Sequence, residues 1–304
     1  MPAAVSVRVP ATVANIGPGF DALGVALKMH LEVEIEPRRD TVEIMVEGEG
    51  ADQLPLDDQN LVVRAMNLFF DHVARRPAGY AIRVRNPIPL GSGLGSSAAA
   101  VVGGLVVARA LTGRAVPQSE MVALATQMEG HPDNVMPALL GGLVVCYNDA
   151  TGGELKSFRL EPSDRLVPII AVPRSGYDTT RARSALPESV SFADAQYTGA
   201  RAALVVASLQ QGAGTEVLFD ALSDRLHEPH RLALMPETAA VHEELRAAGV
   251  AVALAGAGPS LLVIAPRPEA AMRAEQVRRV CRARAAGWRV YVSEWEPEGA
   301  TTTS

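Results

Sequence analysis

Lysine is nearly missing from this 304-residue chain: Lys28 and Lys156 are the only two, and every other basic residue is arginine. A Walker-type phosphate loop needs a lysine directly after its glycines, and neither lysine stands in such a place. Cysteine is as scarce. Cys146 and Cys281 form no C-x-x-C pair and no zinc spacing, which excludes a disulfide framework and points to a reducing compartment. Long apolar runs are absent too. The stretches around Ala98–Ala108 and Ala138–Tyr147 are too short to span a bilayer. The opening MPAAVSVRVPAT has no charged segment leading into an apolar one, so no secretion leader is expected. Basic residues fall short of acidic ones, 28 against 34, giving a net charge of −6, the wrong sign for general attraction to nucleic acid or anionic lipid. The arginine run Arg273, Arg278, Arg279, Arg282, Arg284 lacks interleaved aromatics and reads as a solvated helix face. His227-Glu228-Pro229-His230 and His242-Glu243-Glu244 fall short of H-E-x-x-H, so zinc hydrolysis has no support. A soluble cytoplasmic protein binding neither nucleic acid nor membrane is the expectation.

What is present is an ordinary globular composition, long enough at ~150 residues per domain for two domains. Val5, Val7 and Val9 alternate as in a half-buried strand, as do Leu31–Pro37, Val42–Gly48 and Tyr80–Val84. Asn60–His72 has helical spacing, and an Ala/Val/Leu helix runs to Leu111, stopping near Gly113. Pro117–Glu129 reads as a helix with Ser119 as a possible cap. A short helix then precedes the strand GGLVVCYN. Asp149–Gly153 divides the chain into halves 1–150 and 151–304. The second half opens on a buried strand, Leu166–Pro173. Helices are expected over Asp194–Gln210, Val217–Ser223, Glu237–Ala247 and Pro268–Ala285, and strands over Val250–Leu254, Ser260–Ile264 and Trp288–Val292. The polar tail Pro297–Ser304 is expected to fray. The fold class is α+β.

The chemistry concentrates where Gly91, Gly93 and Gly95 lead into Ser96 and Ser97 at a helix entry. Glycines let backbone N–H groups approach a ligand, and the first helical turn offers unpaired donors at the positive end of the dipole. A serine at the helix start can reach a phosphate-bound magnesium ion. The segment is not a G-x-S-x-G nucleophile elbow, because Leu90 replaces the first glycine, and the G-x-G-x-x-G spacing also fails. The alternative is a loop of small residues that permits tight helix packing.

The surrounding sequence adds a resemblance. PIPLGSGLGSSAAA (Pro87–Ala100) resembles the P-x-x-x-G-L-G-S-S-A-A phosphate loop of the GHMP kinases, which include galactokinase, homoserine kinase, mevalonate kinase and phosphomevalonate kinase. VPATVANIGPGFDALGVAL (Val9–Leu27) resembles the family's first motif in its homoserine kinase form, and AGAGPSLL (Ala255–Leu262) its third. EGHPDNVMPALLGG (Glu129–Gly142) is similar to the homoserine kinase segment and unlike the mevalonate kinase version. The resemblance implies a two-domain GHMP kinase fold. Its N-terminal domain would be ribosomal-protein-S5-domain-2-like with a left-handed βαβ unit, against the usual right-handed rule, and its C-terminal domain a ferredoxin-like α/β domain. It also implies a homodimer that uses ATP and Mg2+, an alcohol-acceptor phosphotransferase. The γ-phosphate would pass to the side-chain hydroxyl of L-homoserine, giving O-phospho-L-homoserine and ADP in threonine biosynthesis.

Roles follow residue by residue from the same resemblance. ATP would lie on Pro89, Leu90, Gly91, Ser92, Gly93, Leu94, Gly95, Ser96 and Ser97, with Asn60 at the adenine; Asn60 reads equally well as a helix N-cap. Ser97 and Glu129 would hold Mg2+, which takes few protein oxygens. Otherwise Glu129 is a solvated carboxylate at an unfavourable helix C-terminus. Asn15 and Asp21 would contact the amino acid, Asp21 at its ammonium, although beside Gly17, Pro18 and Gly19 both also read as turn residues. Arg183 and Arg231 would grip the carboxylate as planar forks, with Arg181 a rival for the former, and Thr179 would touch the transferred phosphate. His131 would face the substrate, Asn134 the acceptor hydroxyl, and Asp133 is the one nearby carboxylate available as a base. A loose phosphoryl-transfer transition state makes positioning alone an alternative to that base, and Asp133 and Asn134 beside Pro132 also suit a helix cap. Val13 departs from the family's usual serine, which removes any hydrogen bond from that position.

Overall fold

The alternation at Val5, Val7 and Val9 builds a strand longer than the pattern marks. In the computed structural model, which describes residues 4–174, 176–177, 179–284 and 286–303, β1 runs Val5–Ala14. Its second half is buried at every residue, so both faces are covered and the period-2 signal stops there. The chain continues through β2 (Leu23–Arg38), β3 (Val42–Gly48), α1 (Leu61–His72), β4 (Gly79–Asn86), α2 (Ser96–Thr112), α3 (Gln118–Glu129), α4 (Pro132–Leu140), β5 (Leu143–Asn148) and β6 (Leu155–Leu160). β1, β2 and β4 lie side by side with β3 beyond β4, and the β5–β6 hairpin joins the other end of β2. β3 and β4 run parallel, so the chain must cross over between them, and α1 is that crossover. Phe69 and Phe70 of α1 are fully buried, each contributing ~1.5–3 kcal/mol by burial alone.

Two helix starts differ in kind. Asn60 caps α1, its Oδ1 accepting from Val62 N at 3.0 Å. Ser119 does not cap α3: Pro117 holds that position, with no side-chain hydrogen bond, because its fixed φ of −55° already suits a helix entry. Asp149 organises the turn between β5 and β6, its Oδ1 accepting from Thr151 N at 3.2 Å and Gly153 N at 3.0 Å. The first sheet therefore extends to Leu160, beyond that turn.

The second sheet is built from β7 (Leu166–Val172), β8 (Val252–Leu254), β9 (Leu261–Pro266) and β10 (Arg289–Val292), in the antiparallel order β10-β7-β9-β8. Between these strands lie α5 (Thr179–Ser184), α6 (Phe192–Gln211), α7 (Thr215–Ala221), α8 (Glu228–Leu232), α9 (Pro236–Ala247) and α10 (Ala270–Arg284). Leu261, Val263 and Ala265 of β9 join the core beneath α9 and α10, while Leu262 and Ile264 join the core shared with the first sheet. A strand buried on both faces reads as a continuous apolar run, as Leu166–Pro173 does.

The tail, as far as Thr303, does not fray. Thr301–Thr303 form β11, an edge strand antiparallel to β1 that pairs Arg8 with Thr301 and Ser6 with Thr303. Upstream, Lys28 N donates to Glu294 O at 3.0 Å, Ala300 N to Ala138 O at 2.9 Å, and the His30 ring meets Glu296 Oε2 at 2.8 Å. The unpaired edge of β1 supplies partners that composition cannot show. No helix among the described residues is long and apolar enough to cross a membrane.

Candidate active site

The loop between β4 and α2 is held from behind. Asn86 donates to Glu49 O and Ile88 O and accepts from Ile88 N, fixing where the loop leaves the sheet. Gly95 caps α2 at φ +67°, and a Cβ there would lie 2.0 Å from Thr12 Oγ1. A Cβ on Gly93 would lie 2.0 Å from Ala255 O, so the Ala255–Leu262 segment packs onto the loop at a distance only glycine permits. The first amides of α2 then face a cavity of about 570 Å3. One end of that cavity is apolar, with Leu54, Val62 and Val84. The other is charged, with Asp21, His131, Arg183 and Arg231.

Beside the loop, Ser97 Oγ donates to Glu129 Oε2 at 2.9 Å. The α2 N-terminus and the α3 C-terminus thus bring two hard oxygen donors together. Burial raises the Glu129 carboxyl above the usual range, with the Ser97 hydrogen bond pulling the other way. A partly desolvated carboxylate next to a hydroxyl, beside a glycine-rich loop at a helix start, suits Mg2+, which keeps most of its own waters.

At the start of α4, His131 Nδ1 and Asp133 Oδ1 lie 2.9 Å apart. Asp133 is 2% exposed, and its hydrogen bond raises the imidazole pKa against the opposing effect of burial. Neither side chain caps the helix; His131 occupies the cap position without a side-chain bond. The Asn134 amide is oriented from below: Thr12 Oγ1 donates to its Oδ1 at 2.8 Å, which leaves the Nδ2 donors for the cavity. Burial pushes the nearby Cys146 thiol up to about 12, aided by Asp133, so it is no nucleophile.

The charged end is assembled from three segments. Asn15 is 3% exposed and engaged on both sides, donating to Gly256 O at 2.8 Å and accepting from Asp21 N at 3.0 Å. Asp21 pairs with Arg183, whose Nη2 reaches both carboxylate oxygens at 2.8 Å. Arg231 is 3% exposed and, among the described residues, spends only Nη1, on His227 Nδ1 at 3.1 Å and Gly256 O at 3.2 Å. Its Nε is buried without a partner among the described residues. The Nε/Nη2 edge of the fork is therefore open for a planar anion. Arg183 and Arg231 both lie against the Phe20 ring, at 5.6 and 5.2 Å.

Comparison with known proteins gives the family. Residues 60–142 match the family model for the GHMP kinases N terminal domain, and residues 206–283 that for the GHMP kinases C terminal. A homoserine kinase of Streptomyces avermitilis is 40% identical over 98% of this chain and 95% of its own length. The chain belongs to the homoserine kinases of the GHMP family. A second such kinase, from Streptomyces coelicolor, is 44% identical over 86% of this chain and 85% of its own. The crystal structure of homoserine kinase from Cytophaga hutchinsonii superposes with a TM-score of 0.86 at 28% identity, covering 100% of this chain and 98% of that one. A mevalonate kinase crystal structure shares the fold alone, at 13% identity and a TM-score of 0.72.

In this homoserine kinase family member the cavity gathers nearly all the residues that its motifs single out. Asn15, Asp21, Asn60, Glu129, the His131/Asp133/Asn134 cluster, Arg183 and Arg231 line it, together with loop positions Leu90, Gly91, Ser92, Gly93, Gly95, Ser96 and Ser97. Pro89 and Leu94 do not. Pro89 lines a separate small cleft behind the loop, and Leu94 is 1% exposed in the core. Ser92 contributes only backbone, since its hydroxyl donates to Pro89 O at 2.7 Å. Asn60 spends its amide on the cap and on Pro55 O at 2.8 Å. Arg181 lies over the Tyr177 ring and is absent from the cavity lining. The Thr179 side chain lies outside the described part of the structure. The GHMP motifs alone do not reveal Thr12, Asn86, Phe20 and His227. Three of these four fall inside or beside a quoted motif, but their partners come from distant sequence.

Proposed function

We propose that the protein transfers the γ-phosphate of ATP to the side-chain hydroxyl of L-homoserine, giving O-phospho-L-homoserine and ADP. The observation that carries this reading is the charged end of the cavity, where a carboxylate and two arginines face the position next to the phosphate loop. Asp21 suits an ammonium group, and Arg183 with the open edge of Arg231 suits a carboxylate, which together describe an α-amino acid. Asp21 and Arg183 hold each other in the structure, so an incoming zwitterion exchanges one ion pair for two.

With the amino acid so anchored, its hydroxyl lies toward Asn134, whose Nδ2 donors, directed by Thr12, orient the hydroxyl oxygen. That oxygen attacks the γ-phosphorus, the bond from phosphorus to the β,γ-bridging oxygen breaks, and the hydroxyl proton leaves on the transferred phosphoryl group. Asp133 is committed to His131, so we assign it to orienting that ring rather than to base catalysis. The amides of Gly91–Ser97 hold the phosphates and the apolar end takes the adenine. Ser97 and Glu129 would hold Mg2+, which neutralises phosphate charge when bound. A homodimer in the cytoplasm completes the reading.

The deciding experiment measures ADP release from MgATP with L-homoserine, and with L-serine and mevalonate as controls. Homoserine-dependent release is expected. ATP-dependent stabilisation without release by any acceptor would instead indicate a nucleotide-binding paralogue.

The Glu129 environment gives a pH prediction. Its carboxyl is raised by burial and must be ionised to hold Mg2+, so metal binding releases a proton. The acid limb of kcat/KM should therefore move to lower pH as Mg2+ is raised. Profiles at limiting and saturating Mg2+ check this, and Glu129→Gln should abolish the shift.

A further inference from the structure

His227 never reaches the cavity, yet it touches both sides of the charged end. It is fully buried. One ring nitrogen, Nε2, lies 2.7 Å from the Gly17 carbonyl in the Asn15–Asp21 loop; the other, Nδ1, lies 3.1 Å from Arg231 Nη1. A carbonyl only accepts and a guanidinium only donates, so both partners require the same form of the ring: hydrogen on Nε2 and a bare lone pair on Nδ1. We propose that His227 is a positioning residue for the acceptor site. As this neutral tautomer it ties the first-motif loop to Arg231 and turns the guanidinium so that its Nε/Nη2 edge faces the homoserine carboxylate. The proposal rests on the homoserine reading above.

The surroundings are arranged for that purpose. The ring is held from its own backbone, His227 N donating to Asp224 Oδ2 at 2.8 Å. Asp224 Oδ2 also takes Glu228 N at 2.9 Å, so the short α8 that carries Arg231 starts from a fixed point. Glu228 pins that helix to the second sheet by accepting from Leu254 N. The Phe20 ring packs 5.1 Å from the imidazole and 5.2 Å from the Arg231 guanidinium, so it bears on both. A Cβ on Gly17 would already lie 3.0 Å from Leu222 O, which leaves the loop little room to drift from this segment.

Protonation would undo the arrangement. A second N–H at Nδ1 would point at the Arg231 donors and set two cations 3.1 Å apart. The charged groups around the ring are Arg231, Asp224 Oδ2 at 3.6 Å from Nε2, and Asp21. Burial is the largest influence and holds the imidazole below its ordinary pKa, Arg231 adds to it, and Asp224 opposes. The neutral tautomer is thus the working form at neutral pH, and acid weakens the grip on the carboxylate.

The test compares the full-length wild type with His227→Leu and His227→Gln, using steady-state kinetics in both substrates across pH and 15N NMR of the imidazole. His227→Leu should raise the KM for homoserine ~10- to 100-fold, with the KM for MgATP within about 2-fold. His227→Gln, whose amide can both donate and accept, should recover to within ~5-fold and lose the acid rise in homoserine KM that the wild type shows. The wild-type spectrum at neutral pH should show a protonated Nε2 and a bare Nδ1. Equal effects on both KM values, no rescue by glutamine, or a proton on Nδ1 would each overturn the proposal. Should the leucine variant fail to fold, the glutamine pH profile and the tautomer decide. Absence of homoserine turnover in the wild type sinks the underlying reading before any variant is made, whereas a wrong tautomer sinks only the role of His227.

Discussion

Arg231→Leu is expected to lower kcat/KM for L-homoserine about a thousand-fold while the KM for MgATP stays within about three-fold. The guanidinium is buried, anchored through Nη1 to His227 and Gly256, and its Nε has no partner among the described residues. Removing it strands a substrate carboxylate in a poorly solvated place, and that stranded charge makes the loss large. Lysine should rescue poorly, because a point charge cannot reproduce two parallel N–H donors. Arg183→Leu should cost less: its side chain is 51% exposed and already paired with Asp21, so water can replace part of what it gives. Initial rates with each substrate varied separate the two arginines.

Asn134→Ala is expected to reduce kcat about 100- to 1000-fold with a smaller change in either KM, the usual consequence of losing one oriented donor at a reacting oxygen. Thr12→Val should reproduce about ten-fold of that loss without touching the substrate, since the Thr12 hydroxyl is what holds Asn134 Oδ1. Adding Thr12→Val to Asn134→Ala should then change little more, because the second residue acts through the first. Single-turnover measurements with saturating substrates report this chemistry directly.

The loop glycines, the two serines and the EGHPDN cluster could be read from the chain because contiguous residues carry them. Elements with a clean period could be read too: Val42–Gly48 is a strand at those bounds, and the helix after Asn60 ends at His72. What failed to show was whatever depends on a distant partner. Thr12 meets Asn134 across 122 positions, and His227 meets Gly17 across 210. Neither residue is unusual in its own neighbourhood. The His227–His230 stretch looks locally like a failed zinc motif, and only the folded chain brings its first residue against Gly17 and Arg231. Asn15 is the converse case. Its motif suggests a substrate contact, and the structure adds a second task that the motif does not show: its amide donates to Gly256 O and accepts from Asp21 N while the residue lines the cavity.

The pairing of Thr301–Thr303 with β1 bears on how the molecule is made. β1 precedes β11 by almost the whole of this sequence, so its outer edge waits through that much synthesis before its partner arrives. Until then a growing polypeptide presents an open strand edge that a neighbouring copy on the same message could pair with. The segment leading to β11 also reaches Ala138 in α4, the helix that carries Asn134. Premature termination or C-terminal clipping would therefore remove support from the helix that carries Asn134, although no described residue of the tail lines the cavity.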